Sequence, residues 1–134
     1  MSQWREEKKI VLEAAKKMLA EGLVVGTGGN ISLRLPPEGK RQLLAITPSA
    51  QYYDRLGADD IQIVDFRGQT VEGSMSPSIE TTLHINIYRA RKNINAVIHT
   101  HSVFASAVSV TGRGIPPIMN DQVALLGGEI RLAK

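Results

Sequence analysis

The sequence predicts an α/β domain, a three-layer α/β/α sandwich with a mixed, largely antiparallel central sheet. Three observations carry this reading. The chain opens with apolar residues at helical spacing; it continues through short alternating or apolar runs separated by turn residues; and it returns to helical spacing before a β-branched run. Helices interleaved with strands that include hairpins point to layers packed on a sheet that is not purely parallel and doubly wound.

From about Trp4 to Glu21, Val11, Ala14, Ala15, Met18 and Leu19 form one apolar stripe. Glu6 and Glu7 at the front and Lys16 and Lys17 at the back complement a helix dipole, with Ser2 as the expected cap and Gly22 as the stop. Ile31-Ser32-Leu33-Arg34-Leu35 alternates as a half-buried strand does, and the turn Pro36-Pro37-Glu38-Gly39 leads to a second strand over Leu43–Ile46. Ile61–Val64 and Gln69–Glu72 read as two further short strands around the turn Asp65–Gly68. A second helix is expected to start at Ser76 and Pro77 and to run to about Arg91 along Ile79, Leu83, Ile87 and Tyr88. Ile94–Ile98 reads as a strand, Val103–Val110 as a short helix and Gly127–Leu132 as a strand.

The chain has 134 residues, 43% hydrophobic and 22% charged, which is ordinary globular usage and excludes wholesale disorder. Without cysteine, disulfides, thiolate metal sites and a cysteine nucleophile are excluded, so any metal must be held by nitrogen and oxygen. No apolar run approaches the roughly 20 residues that span a bilayer, and MSQWREEKK lacks the core of a signal peptide. The expectation is a soluble cytoplasmic protein without a membrane partner. The net charge of +3 comes from basic residues scattered in pairs, which argues against nucleic acid as a partner.

His99-Thr100-His101 is the sharpest chemical feature. On a strand, positions i and i+2 share a face, so both imidazoles can reach one divalent ion; the bland reading is a half-exposed polar tip. Glu80 is a candidate ligand or general base, although taken alone such a residue is more often a helix-start acid. His84, four residues on along the same helical face, could contact Glu80 or the metal; the bland reading is a packed or solvated side chain, and its place is at most behind the ligands. Gly26-Thr27-Gly28-Gly29-Asn30 is neither a dinucleotide fingerprint nor a P-loop; it reads as an anion nest or as a tight helix-to-strand connection. Thr47-Pro48-Ser49 and Ser78 add hydroxyl and N–H donors for an anion.

These segments, GTGGNIS (26–32), ITPS (46–49), SPSIE (76–80), IYRAR (87–91) and AVIHTHS (96–102), occur in one register, and over about residues 5–130 the chain resembles the class II aldolase/adducin family. The resemblance implies Zn2+ or another divalent metal held by His99 and His101 with Glu80, and Glu80 as the acid/base that moves a proton next to a carbonyl. It implies a lyase that makes or breaks a C–C bond in a small sugar phosphate through a metal-bound enediolate. It places the substrate phosphate on Thr27, Gly28, Asn30, Ser49 and Ser78, and it implies a homotetramer.

Four departures stand against the family pattern: no histidine follows His101, Ile79 replaces a second serine, Ala50 replaces a glycine, and Asn120 and Asp121 stand where a tyrosine acid is sought. Because family domains are longer, residues 1–134 are expected to be one domain lacking its C-terminal part. An epimerase or dehydratase of the same family is the alternative within enzymes, and a non-catalytic adducin-like interaction module the alternative outside them.

Overall fold

The computed structural model describes residues 3–133, and these divide into two compact units, up to Thr100 and from His101. In the first unit, helix α1 (Arg5–Ala20) buries Val11, Ala15 and Met18, as the stripe requires. Trp4 occupies its N-cap position without a side-chain capping bond, and the expected cap Ser2 lies outside the described residues. At the other end Gly22 takes φ +68°, and the N–H groups of Gly22 and Leu23 return to the carbonyls of Leu19 and Met18 at 3.0 and 3.1 Å. This Schellman closure satisfies carbonyls that a helix end would otherwise leave open.

Five strands follow: β1 (Asn30–Glu38), β2 (Arg41–Ile46), β3 (Gln62–Asp65), β4 (Thr70–Glu72) and β5 (Ala96–His99), in the order β4-β3-β2-β1-β5. The expected mixed, largely antiparallel sheet is antiparallel in each of these pairings. β1 runs past Leu35 through Pro36 and Pro37, and its register with β2 shifts between Leu35 and Glu38. Two prolines without N–H groups cannot continue the ladder, so an irregularity there is the physical minimum.

Alternation along β2 separates the two faces. Leu43 and Ala45 join Val11, Ala15, Met18, Ile31 and Ile63 under α1, whereas Leu44 and Ile46 join Val64, Phe66, Ile85 and Tyr88 under the second helix, α2 (Thr81–Ala90). A sheet covered on both faces by helices is the three-layer arrangement expected, and all four of these β2 side chains are fully buried. Burying each of the larger ones contributes about 1.5–3 kcal/mol.

α2 starts later than the sequence suggests. Ser76 and Pro77 do not open it; Pro77 bridges Pro48, with Ser49 N–H on Ser76 O at 2.9 Å and Ser78 N–H on Thr47 O at 3.1 Å. Extended pairing outcompetes local helix-start chemistry here, and Glu80 takes the N-cap position of α2 without a side-chain capping bond, while the Thr81 N–H bonds Ser78 O at 3.0 Å. β5 likewise ends at His99, so the same-face argument for two strand histidines applies to His99 alone.

The strand ends divide by rim. Asn30, Ile46, Gln62 and His99 lie on one rim, and the turns around Gly39–Lys40 and Arg67–Gly68 on the other, beside a basic cleft lined by Lys40, Arg41, Arg67 and Arg89.

The second unit holds α3 (Val103–Ser109), whose first turn is capped by Ser102 Oγ accepting from Ala105 N–H at 3.4 Å, and α4 (Asn120–Leu126). The strand expected over residues 127–132 is reduced to one bridge, Ile115 with Ile130. Buried Gln122 gathers this unit: its amide nitrogen donates to the carbonyls of Ile115, Pro116 and Gly128 at 3.1–3.3 Å. Among the described residues no helix is long and apolar enough to cross a membrane.

Candidate metal and acid–base site

The site-type residues of the first unit meet where β1 begins, β5 ends and α2 starts. Asn30 and His99 are direct partners in the β1–β5 register, which sets their Cα atoms side by side. Glu80 reaches the same point from the mouth of α2: its Oε2 accepts from Asn30 Nδ2 at 2.5 Å and lies 3.4 Å from His99 Nε2. About a third of each side chain, 33% for Glu80 and 31% for His99, stays open to solvent.

That 3.4 Å gap suits a shared cation. Two ligands on a tetrahedral ion with bonds of about 2.0–2.1 Å stand roughly 3.3–3.5 Å apart. A carboxylate and an imidazole are also the right donor types for zinc-like ions in a chain without thiols. His101 belongs to the second unit, and among the described residues no cluster of three or more His, Asp or Glu side chains gathers at cation-holding distance.

Behind Glu80 a polar chain runs into the interior. His84 Nε2 lies 2.5 Å from Asn30 Oδ1, His84 Nδ1 lies 2.7 Å from Ser32 Oγ, and Ser32 Oγ lies 2.8 Å from the Tyr88 hydroxyl. Glu80, His84 and Tyr88 recur at intervals of four, so one face of α2 lays them in a row against β1. Burial holds the His84 pKa down to about 4; the nearby His99 pushes the same way and Glu80 opposes. His84 is therefore a neutral imidazole at physiological pH. Its place behind the ligands agrees with its spacing, but the sequence reading passed over Ser32 and Tyr88, whose signal was the interval of four and the alternation of β1.

The segment before β1 is pinned from below. Tyr53, buried on a single 3-10 turn, donates its hydroxyl to Gly29 O, and burial raises its pKa. Thr27 is exposed, and Gly28 commits its N–H to Val25 O at 3.1 Å. Ser49 and Ser78 commit theirs to the Pro48–Pro77 pairing, so each offers an anion its hydroxyl and not the N–H the sequence suggested. Ser78 Oγ accepts from Glu80 N–H at 3.2 Å, which ties it to the start of α2. Ala50, in the position of the family glycine, adopts φ +53°.

Comparison with known proteins extends this picture. The family described as Class II Aldolase and Adducin N-terminal domain matches residues 9–134. A 5-deoxy-D-ribulose 1-phosphate aldolase of Bacillus thuringiensis serovar kurstaki is 36% identical over 129 residues, 96% of this chain and 59% of that protein. Among solved structures, an L-fuculose 1-phosphate aldolase superposes with a TM-score of 0.74 at 33% identity, covering 87% of this chain and 52% of its own. The l-fuculose-1-phosphate aldolase of Thermus thermophilus gives 0.74 at 25%, covering 95% and 62%. The chain thus spans little more than half the length of these relatives. With the match extending over nearly all of its residues, the chain belongs to the class II aldolase and adducin family.

Proposed function

We propose that this chain serves a metal-dependent aldolase, a lyase that makes or breaks a C–C bond in a small sugar phosphate. The observation that carries the reading is the Glu80 carboxylate oxygen held 3.4 Å from His99 Nε2 at one rim of the sheet. The relatives named as sugar-phosphate aldolases support the substrate class.

In this reading His99, His101 and Glu80 hold Zn2+ or another divalent ion; the place of His101 rests on its sequence motif. A cation bound there supplies Lewis-acid polarisation of a substrate carbonyl. Glu80 takes the proton from the carbon next to that carbonyl and returns it, with the Asn30 amide steadying the carboxylate. The hydroxyls of Thr27, Ser49 and Ser78, with the remaining Asn30 N–H, receive the substrate phosphate, and Gly28 joins them by exchanging its N–H bond to Val25 O for one to the phosphate. Family likeness is the ground for reading the assembly as a homotetramer and its compartment as the cytoplasm.

The test combines metal analysis with a retro-aldol assay on a panel of ketose 1-phosphates. Joint replacement His99→Ala and His101→Ala is expected to abolish stoichiometric zinc. Glu80→Gln at saturating metal is expected to lower turnover at least about 100-fold, the ordinary scale of general-base catalysis. Undiminished turnover in Glu80→Gln, or zinc unaffected by loss of both histidines, refutes the reading.

A further inference from the structure

The buried chain behind Glu80 has only one self-consistent direction of hydrogen bonding. An ionised carboxylate accepts and never donates, so the Asn30 amide must turn its NH2 toward Glu80, at 2.5 Å, and its oxygen toward His84. That oxygen can only accept, which puts the proton of the neutral imidazole on Nε2. Nδ1 is then an acceptor, and Ser32 Oγ must donate to it at 2.7 Å. With its hydrogen committed, Ser32 Oγ receives the Tyr88 hydroxyl at 2.8 Å, a group also 3.0 Å from Ser32 O.

Every link from Tyr88 through Ser32, His84 and Asn30 thus donates toward Glu80. The first three residues are fully buried and Asn30 is 4% exposed, so bulk water is not at hand to satisfy a reversed order. A reversed amide would also set its oxygen against the carboxylate.

We infer that His84 is a positioning residue: its Nε2–H fixes the Asn30 amide, which aims Glu80 at the position beside His99. The inference rests on the proposed role of Glu80, and it reaches further in assigning a defined tautomer to His84, which touches neither metal nor substrate, and through it a defined orientation to the Asn30 amide.

Two measurements test it. In 15N-histidine-labelled protein the chain has 3 histidines, and His84→Gln identifies the resonance of interest. The expected result is a slowly exchanging Nε2–H with Nδ1 unprotonated; an Nδ1–H tautomer, or a ring averaging between the two, overturns the inference. Zinc titration supplies the second arm. Losing an outer partner of a metal ligand weakens binding about 10–100-fold, and this is expected for His84→Phe. His84→Gln, whose amide nitrogen can replace the Nε2 donor, is expected to recover zinc affinity to within about threefold of the parent, and so keeps the test open if the phenylalanine variant does not fold. In a Glu80→Gln background, His84→Phe is expected to cost nothing more, because its effect passes through Glu80. Losses that add, or a glutamine variant as weak as the phenylalanine one, overturn the inference and mark His84 as merely structural. If Glu80→Gln itself leaves zinc affinity unaltered, the metal role of Glu80 falls instead, and the tautomer still decides the direction of the chain.

Discussion

Gly26 and Gly29 offer a matched pair for measuring how tightly the site is packed. Both have positive φ, +63° and +69°, so an alanine at either incurs a similar backbone penalty of about 1–2 kcal/mol. Their surroundings differ. A Cβ on Gly26 meets nothing within 4 Å, whereas one on Gly29 would lie 2.5 Å from Val24 Cγ1 and 2.6 Å from the His99 carbonyl oxygen. Val24 is 2% exposed in the core, and His99 is paired with Asn30 in the β1–β5 ladder, so neither neighbour can retreat without opening packing or pairing. Overpacking of this kind costs about 1–3 kcal/mol beyond the backbone term. Gly29→Ala should therefore lose about 2–5 kcal/mol of unfolding free energy and Gly26→Ala about 1–2 kcal/mol. Urea denaturation at pH 7 measures both, and the thermal midpoints should separate by roughly 5–10 °C. Equal losses in the two variants would refute the claim that the β1–β5 junction is closed against even one methyl group.

Two further outcomes follow from single residues. Because the His84 pKa falls from 6.5 to about 4 on folding, the unfolded chain binds the extra proton first; its contribution is complete above pH 6.5 and is lost as pH falls toward 4. About 2 kcal/mol should be gone by pH 5, read as a fall in the urea midpoint between pH 7 and 5 that flattens in His84→Gln. Ala50 at φ +53° is the one non-glycine residue with positive φ among the described residues, and Ala50→Gly should raise stability by about 1 kcal/mol, or about 4 °C in the thermal midpoint. A midpoint unchanged or lowered would show that Ala50 carries no strain.

The parts of this fold legible in the sequence are those encoded by local period. The stripe Val11, Ala15, Met18 marked α1, and the alternation through Leu43–Ile46 marked a strand whose two faces serve two layers. Misplaced boundaries trace to long-range pairing. The Ser76–Pro77 signal has the chemistry of a helix start, but Pro48, from a distant segment, claims Pro77 for an extended bridge. α4 escaped notice although α3, equally seven residues long, did not: Ser102 caps the start of α3, whereas Met119 at the N-cap of α4 offers no capping side chain. Within the site, His99, Glu80 and Asn30 were legible as donors by residue type and motif. The line from His84 to Tyr88 was half legible: its spacing of four sits on one helix, but nothing local reveals that Ser32 lies beneath it.

The division between the two rims of the sheet carries a consequence for how such a protein can diversify. β2, six residues long, keeps them roughly 20 Å apart. The hairpin at Gly39–Lys40 and the turn at Arg67–Gly68 can thus lengthen, change charge or accept a fluorescent label without reaching Asn30, Glu80 or His99. Chemistry and surface identity are written at opposite ends of the same strands, so drift in one need not be matched by adjustment in the other.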